Sequence, residues 1–310
     1  MHSFTVFTAT CDRPNELCRL YGSLVRQTNK DFVWLIVDDS TGEGVGSAVD
    51  AFIQEGKIEI DYHKQEHRGK YWAQKRGFSL VETPYMLDVD DDDELRADCI
   101  DILLNEWKKI EEEGKTEIGV ICGRIVYEDR QQVDYFKGRP FFDIDFIEIE
   151  WTKNLPCDNL ISRRQDVIKN VDIFNLEGEW LADQVSLVRE FVLWNRVARK
   201  YKSRYINYPL MDCHTDSANR LSSSMFGRQK CLDYVFSNRL FLNELGERLW
   251  DNPIGAVKYL AEYMACGSAL GFSPIRLMRN IENRTLKVIG GGLWPAALVI
   301  GGYFRLMYFK

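Results

Sequence analysis

The sequence predicts an α/β chain: a doubly wound, mostly parallel sheet with a C-terminal helical extension. Three observations predict it. The first third alternates short apolar, β-prone runs with longer segments of helical period. Polar clusters close three of those runs, at Thr10 to Arg13, Asp38 to Gly42 and Asp90 to Glu94. After about residue 228 the strand pattern gives way to helical patterning.

The expected strands of the first third are Phe4 to Ala9, Val33 to Asp38, Ile58 to Tyr62 and Tyr85 to Asp90. Helices are expected at about Pro14 to Gln27, Gly46 to Gln54 and Lys70 to Val81. Pro14 suits a first helical turn, where a missing N–H costs no hydrogen bond. In open sheets of this kind ligands lie beyond the carboxyl ends of the strands, so the three polar clusters should form one site. From Ile118 the texture changes to irregular or antiparallel strands, followed by an aromatic, acidic stretch to Trp151. Leu181, Val185, Val188 and Val192 are spaced 4, 3, 4, which predicts one buried stripe on a helix from about Leu181 to Lys200. Arg228 to Trp250 and Pro253 to Met278 also read as helical.

Composition narrows the function. Of 310 residues 45% are hydrophobic and 28% charged, which is the balance of a folded protein. The net charge is -7 and no Lys/Arg block is interleaved with aromatics, so nucleic acid is not an expected partner. The eight cysteines are scattered without a Cys-x-x-Cys pair and read as small buried hydrophobes in a reducing compartment. No secretory signal pattern opens the chain, so cytoplasmic residence is the expectation.

The acidic run Asp88-Val89-Asp90-Asp91-Asp92-Asp93-Glu94 carries the chemistry. Consecutive aspartates repel one another and call for a cation or solvent. Carboxylate oxygens suit Mg²⁺ or Mn²⁺ completed by water and phosphate oxygens. A solvated loop or a helix N-terminus is the plainer reading. A calcium loop fails, because Asp93 stands at its turn glycine and Cys99 at its bidentate acid.

Across about a hundred residues the landmarks resemble, in order, the nucleotide-binding half of family 2 glycosyltransferases, which have the GT-A fold, a Rossmann-like doubly wound sheet. Phe4-Thr5-Val6-Phe7-Thr8-Ala9-Thr10-Cys11-Asp12-Arg13-Pro14 resembles the first strand and its Thr-Tyr-Asn-Arg-Pro turn. Ser23-Leu24-Val25-Arg26-Gln27-Thr28 resembles the end of the first helix, and Trp34-Leu35-Ile36-Val37-Asp38-Asp39-Ser40 the second strand with its paired Asp. Gly69-Lys70-Tyr71-Trp72-Ala73-Gln74-Lys75-Arg76-Gly77 matches the Gly…Ala-Arg-Asn-x-Gly helix in part, and Tyr85 to Leu95 resembles the Asp-x-Asp strand. The chain departs from the pattern at Cys11, Asp12, Gln74 and Lys75.

The resemblance implies a metal-assisted, inverting transfer from a nucleotide-diphospho-sugar, expected to be a UDP-sugar, to a glycan or lipid-linked acceptor in surface polysaccharide synthesis. Counting from Tyr85 puts the metal pair, for Mn²⁺ or Mg²⁺, at Asp90 and Asp92; the motif alone also allows Asp88 and Asp90. Thr10, Asp12, Asp38, Asp39 and Asp91 are implied at the nucleotide. Lys75, with Lys70 and Arg76, is implied at the phosphates, and His214 at the diphosphate or metal. Asp183 is the first candidate for the general base and Glu179 the second; capping of the helix after them is the competing role. The implied division is a nucleotide-sugar half at 1–115, an acceptor half at 116–225 and a helical region at 226–310.

That last region is basic. From Arg276 onward six basic residues face one acid, so the tail is roughly +5 and the remainder roughly -12. Val288 to Phe304 is seventeen residues without a charge, interrupted by Pro295 and five glycines. Arg284, Lys287, Arg305 and Lys310 flank it, which predicts peripheral or re-entrant attachment to the inner face of the plasma membrane. Two rivals stand beside the main expectation. A sugar-nucleotide pyrophosphorylase should show a Gly-rich basic loop, whereas Cys11 to Pro14 has no glycine. A catalytically inactive relative would bind nucleotide or glycan without turnover.

Overall fold

The computed structural model describes residues 2–127, 134–153, 159–213 and 227–309. The chain forms two compact units, one of Met1–Glu150, Leu155–Asp172 and Val197–Ala218, the other of Trp151–Asn154, Ile173–Arg196 and Asn219–Lys310.

The first unit is a sheet with helices against it. Its elements are β1 (Phe4–Thr10), α1 (Pro14–Val25), β2 (Phe32–Asp38), α2 (Gly44–Glu55), β3 (Glu59–Lys64), α3 (Lys70–Leu80), β4 (Tyr85–Asp88), β5 (Asp93–Leu95), α4 (Cys99–Glu112), β6 (Ile118–Tyr127), β7 (Phe141–Ile144), β8 (Asn159–Arg164), α5 (Gln165–Asn170) and β9 (Lys202–Cys213). Among the described residues the strand order is β3-β2-β1-β4-β8-β6-β9-β5, with β7 also paired to β9. The first four strands are parallel, β6 and β9 are parallel, and the other pairs are antiparallel. β1 and β2 are buried almost throughout; β2 is accordingly apolar from Phe32 to Val37, while β1 carries the buried Thr5, Thr8 and Thr10 among its apolar residues. α1 buries Leu17, Leu20, Tyr21 and Leu24, and the Tyr21 ring stacks on Phe52 of α2 at 4.1 Å. α3 comes so close to β1 that a Cβ on Gly77 would fall 2.0 Å from the Phe7 ring, so only glycine fits there.

Arg204 on β9 ties the second half of the sheet together. It is fully buried, and its guanidinium donates to Glu106, Glu113 and Asp143 at 2.6–3.3 Å. Replacing it with Met should destabilise the unit by about 3–5 kcal/mol, because the nearly buried Glu106 is left with only the exposed Lys109 as an ion-pair partner. Urea denaturation checks this. Hydrogen bonds from Arg204 hold Glu113 below its ordinary value of 4.5. Burial pushes Asp143 up, but bonds from Arg204 and Lys115 leave it below 3.8. Acids depressed in the folded state contribute stability that is present above their ordinary values and lost as pH falls through the folded ones. The loss should therefore begin below about pH 4.5 and be smaller in Arg204→Met.

The second unit is helical, with α6 (Glu190–Ala198), α7 (Arg228–Glu244), α8 (Pro253–Ala269), α9 (Pro274–Arg279) and α10 (Arg284–Tyr308). The helix expected from Leu181 to Lys200 is shorter. Ala182–Gln184 is a single 3₁₀ turn, Val185 is extended, and α6 starts only at Glu190. The cause is tertiary: the Asp233 carboxylate accepts the N–H groups of Ser186 and Leu187, and Ser237 accepts that of Arg189. Leu181, Val185, Val188 and Val192 are nonetheless all buried, so the apolar spacing marked a core contact and mis-stated its backbone. The two helices expected between Arg228 and Met278 are each broken, by a 3₁₀ turn at Gly246–Asp251 and by Gly271 at φ +83. α10 runs unbroken through Pro295.

Candidate functional site

Three strand ends meet at the carboxyl edge of β1, β2 and β4. β1 and β2 run in register from Phe4 opposite Phe32 to Thr10 opposite Asp38, and the Asp39 N–H donates to the Thr10 carbonyl at 2.9 Å. The first turn then bends sharply, with Asp12 at φ +53, a region that Asp tolerates better than most residues. The Asp12 N–H donates to the Ser40 hydroxyl at 2.7 Å, and the Asp12 carboxylate faces Thr41 and Gly42. β4 stops at Asp88, two residues before the expected end; the Asp93 N–H then donates back to the Asp90 carbonyl, which folds the acidic run into a turn.

Part of the charge of that turn is compensated from within the chain. Arg13 donates to Asp91 at 2.7 Å and to Asp92 at 2.8 Å, and Lys70 pairs with Asp90 at 2.8 Å. Thr10 donates to Asp91 at 2.7 Å. Burial, only partly countered by Arg13, raises Asp91 to about 7. Burial, reinforced by the charges of Asp90 and Asp92, raises Asp93 to about 8. Asp90, Asp92 and Asp93 each place one carboxylate oxygen within 4.8 Å of the other two. Three hard oxygen donors so placed fit a divalent cation such as Mg²⁺ or Mn²⁺. Asp88 is not of this group: its carboxylate faces Arg163 at 3.5 Å from within β4.

The second turn is turned inward. Asp38 is fully buried and accepts the Tyr62 hydroxyl and the Ser40 N–H. The Asp39 carboxylate accepts the N–H groups of Arg68 and Gly69 and the Gln65 amide, while the His67 Nδ1 lies 2.7 Å from the Asp39 backbone carbonyl and 3.0 Å from its carboxylate. These bonds shape the loop that leads into α3, where Gly69 takes φ +103. Linear spacing shows no partner for His67; the fold supplies Asp39 and, at 3.7 Å, the Cys11 thiol. Cys11, Asp39 and His67 also form a candidate ligand group, but burial and the neighbouring acids push the thiol up to about 11, which disfavours a metal-binding thiolate.

On α3, Lys75 is exposed, with its ammonium 5.6 Å from the Trp72 ring, on which Arg68 also lies at 3.8 Å. Arg76 donates to the Lys64 carbonyl. In the second unit Asp183 is exposed in its 3₁₀ turn and makes no ion pair among the described residues, whereas Glu179 pairs with the nearly buried Arg239 at 2.5 Å. No continuous helix follows Asp183 for it to cap. His214 lies outside the described residues. Arg13, Asp93, Gln65 and Arg68 were missed in the sequence. For Arg13 a signal existed, a lone cation in the first of three clusters that otherwise carry acids.

Comparison with known proteins identifies the family and the fold. Residues 5–172, more than half of the chain, match Glycosyl transferase family 2. No curated protein sequence matches. Among solved structures, the 1–349 fragment of S. aureus TarS in complex with UDP-GlcNAc is 12% identical, with a TM-score of 0.62 over 100% of this chain and 93% of that one. Against a longer TarS structure the TM-score is 0.58 at 14% identity, over 98% of this chain but only 54% of that one, so this chain spans about half of its length. A mannosyltransferase from Pyrobaculum calidifontis, in complex with GDP-Man and Mn²⁺, has a TM-score of 0.52 at 14% identity over 98% of this chain and 87% of its own. By the family match and by this shared architecture, the chain belongs to glycosyl transferase family 2 and is a glycosyltransferase of GT-A fold.

Proposed function

We propose that the protein transfers a sugar from a nucleotide-diphospho-sugar, a UDP-sugar first among the candidates, to a glycan or lipid-linked acceptor in the synthesis of a surface polysaccharide. The observation that carries the reading is the meeting of three strand-end turns at the acidic run, in a chain of this family. Thr10 and Asp12 would line the nucleoside. Asp39 would accept a base N–H in place of the Gln65 or His67 side chain, since its backbone bonds to Arg68 and Gly69 hold the loop and are not replaceable. Asp38 and Asp91 would act by orienting these turns.

Asp90 and Asp92, with Asp93 beside them, would hold Mn²⁺ or Mg²⁺. The bound ion supplies positive charge against the departing diphosphate. Arg13, Lys70 and Lys75 are the chain's own cations for that charge, and Arg13 and Lys70 already sit on the carboxylates. Inverting transfer also needs a base for the acceptor hydroxyl. Asp183 is proposed for it over Glu179, because Glu179 is committed to Arg239. The basic, apolar C-terminal stretch is proposed to attach the protein to the cytoplasmic face of the membrane.

A thermal-unfolding panel of nucleotide sugars with and without Mn²⁺ tests the function. Bound donor should raise Tm by mass action, about 2.7 kcal/mol at a hundredfold excess over Kd, and more with metal than without it. No shift with any UDP- or GDP-sugar, with metal present, would remove the donor reading.

A further inference from the structure

α10 has two faces with opposite fates. Leu286, Gly290, Ala297 and Gly301, spaced 4, 7, 4, are buried. Gly290 lies against Met278 and Met264, and Gly301 lies so close to α8 that an added Cβ would fall 2.7 Å from the Ala265 carbonyl. Small residues therefore seat this face on α8. Two residues along a helix turn it by about 200°, so Val288, Pro295, Val299 and Leu306 line the opposite side. There Val288, Val299 and Leu306 are 78%, 75% and 80% exposed. A run of exposed apolar side chains this long marks an interaction surface.

We infer that this face of α10 lies in the plane of an anionic phospholipid bilayer, sunk to the depth of the headgroup boundary, and does not cross it. The inference rests on the membrane attachment proposed above and gives it an orientation and a lipid class. Charge identifies the partner. Lys287 and Arg305 are eighteen residues apart, five full turns, so they stand on one flank of the apolar stripe; Arg284, about 60° around the helix from them, lies between that flank and the stripe, and Arg284–Tyr308 contains no acid. A basic flank beside a buried apolar stripe is the arrangement that binds anionic headgroups.

Three observations oppose a span. The uncharged stretch from Val288 to Phe304 is seventeen residues, about 26 Å of helix against roughly 30 Å of hydrocarbon. Pro295 has no N–H for the Gly291 carbonyl one turn back, and Gly291 and Pro295 are both exposed. In hydrocarbon that carbonyl would stay unpaired at a cost of several kcal/mol, whereas water reaches it at the interface. Finally, α8, on which α10 is seated, carries Lys258 and Glu262, the latter paired with Arg189, and a spanning α10 would draw these charges toward the membrane.

The test is co-sedimentation of the full chain with vesicles of phosphatidylcholine alone and of phosphatidylcholine with phosphatidylglycerol. Binding should be at least about tenfold stronger to the anionic vesicles and should be removed by high salt and alkaline carbonate. Val299→Asp and Leu306→Asp should each weaken it about tenfold or more, with Tm unchanged because both side chains are exposed. Lys287→Glu with Arg305→Glu should abolish the preference for anionic lipid. Metal-dependent nucleoside diphosphate release from a soluble donor should not change in any of these variants, which separates this inference from the proposed reaction. Vesicle binding that resists carbonate would overturn the in-plane orientation while leaving membrane attachment standing. No vesicle binding, or a dimer that Val299→Asp converts to monomer, would overturn both.

Discussion

Asp92→Asn should lower kcat/KM for transfer by about 10²–10³-fold, the loss seen when one preorganised electrostatic contact to developing charge is removed. Asp92 is one of three carboxylates with oxygens within 4.8 Å of one another, and Arg13 donates to it at 2.8 Å. Asparagine keeps an acceptor for Arg13 but brings no negative charge, so unfolding should shift little while metal dependence weakens. Initial rates across a range of Mn²⁺ concentrations, with Tm measured in parallel, separate the two effects. Full activity with unchanged metal dependence would mean that the acidic run is not the metal site.

The second large effect is expected at the proposed base. Asp183→Asn should cost about 10²–10⁴-fold in kcat, the usual worth of a general base, with donor affinity unchanged. Glu179→Gln should act differently, because it removes the charge opposite the nearly buried Arg239. Its signature is a lower Tm with little loss of kcat. If Asp183→Asn turned over normally and Glu179→Gln did not, the two roles would be exchanged.

How much of this was legible in the sequence differs by region for physical reasons. The first third read well because β1, β2, α1 and α3 follow local rules. A strand buried on both faces, as β2 is, stays apolar up to its last residue, a helix opens on Pro14, and strand ends carry the turn residues. Those rules also brought Thr10, Asp12, Asp38 and the acidic run to one edge. They could not show what neutralises the run, because Arg13 and Lys70 reach Asp90, Asp91 and Asp92 across 20 to 79 residues of sequence. Nor could they show that Asp39 is occupied by the loop before α3. The helix expected from Leu181 failed for the same reason. Apolar spacing reports which residues are buried, but Asp233 and Ser237 on α7 take the N–H groups that a helix would have used. Arg204 shows the limit most plainly, since a buried cation with three acids from distant segments leaves no local mark.

The central claim, a divalent cation held by Asp90 and Asp92 in a nucleotide-sugar transferase, is tested most directly by titrating Mn²⁺ in the presence of a nucleoside diphosphate and following free Mn²⁺ by electron paramagnetic resonance. The wild-type chain should bind about one ion, and Asp92→Asn should lose more than the roughly tenfold to hundredfold that an outer-shell partner is worth. Asp88→Asn should bind nearly as the wild type does, because Asp88 faces Arg163 and not the cluster. Unchanged Mn²⁺ binding in Asp92→Asn, or loss in Asp88→Asn alone, would contradict the account.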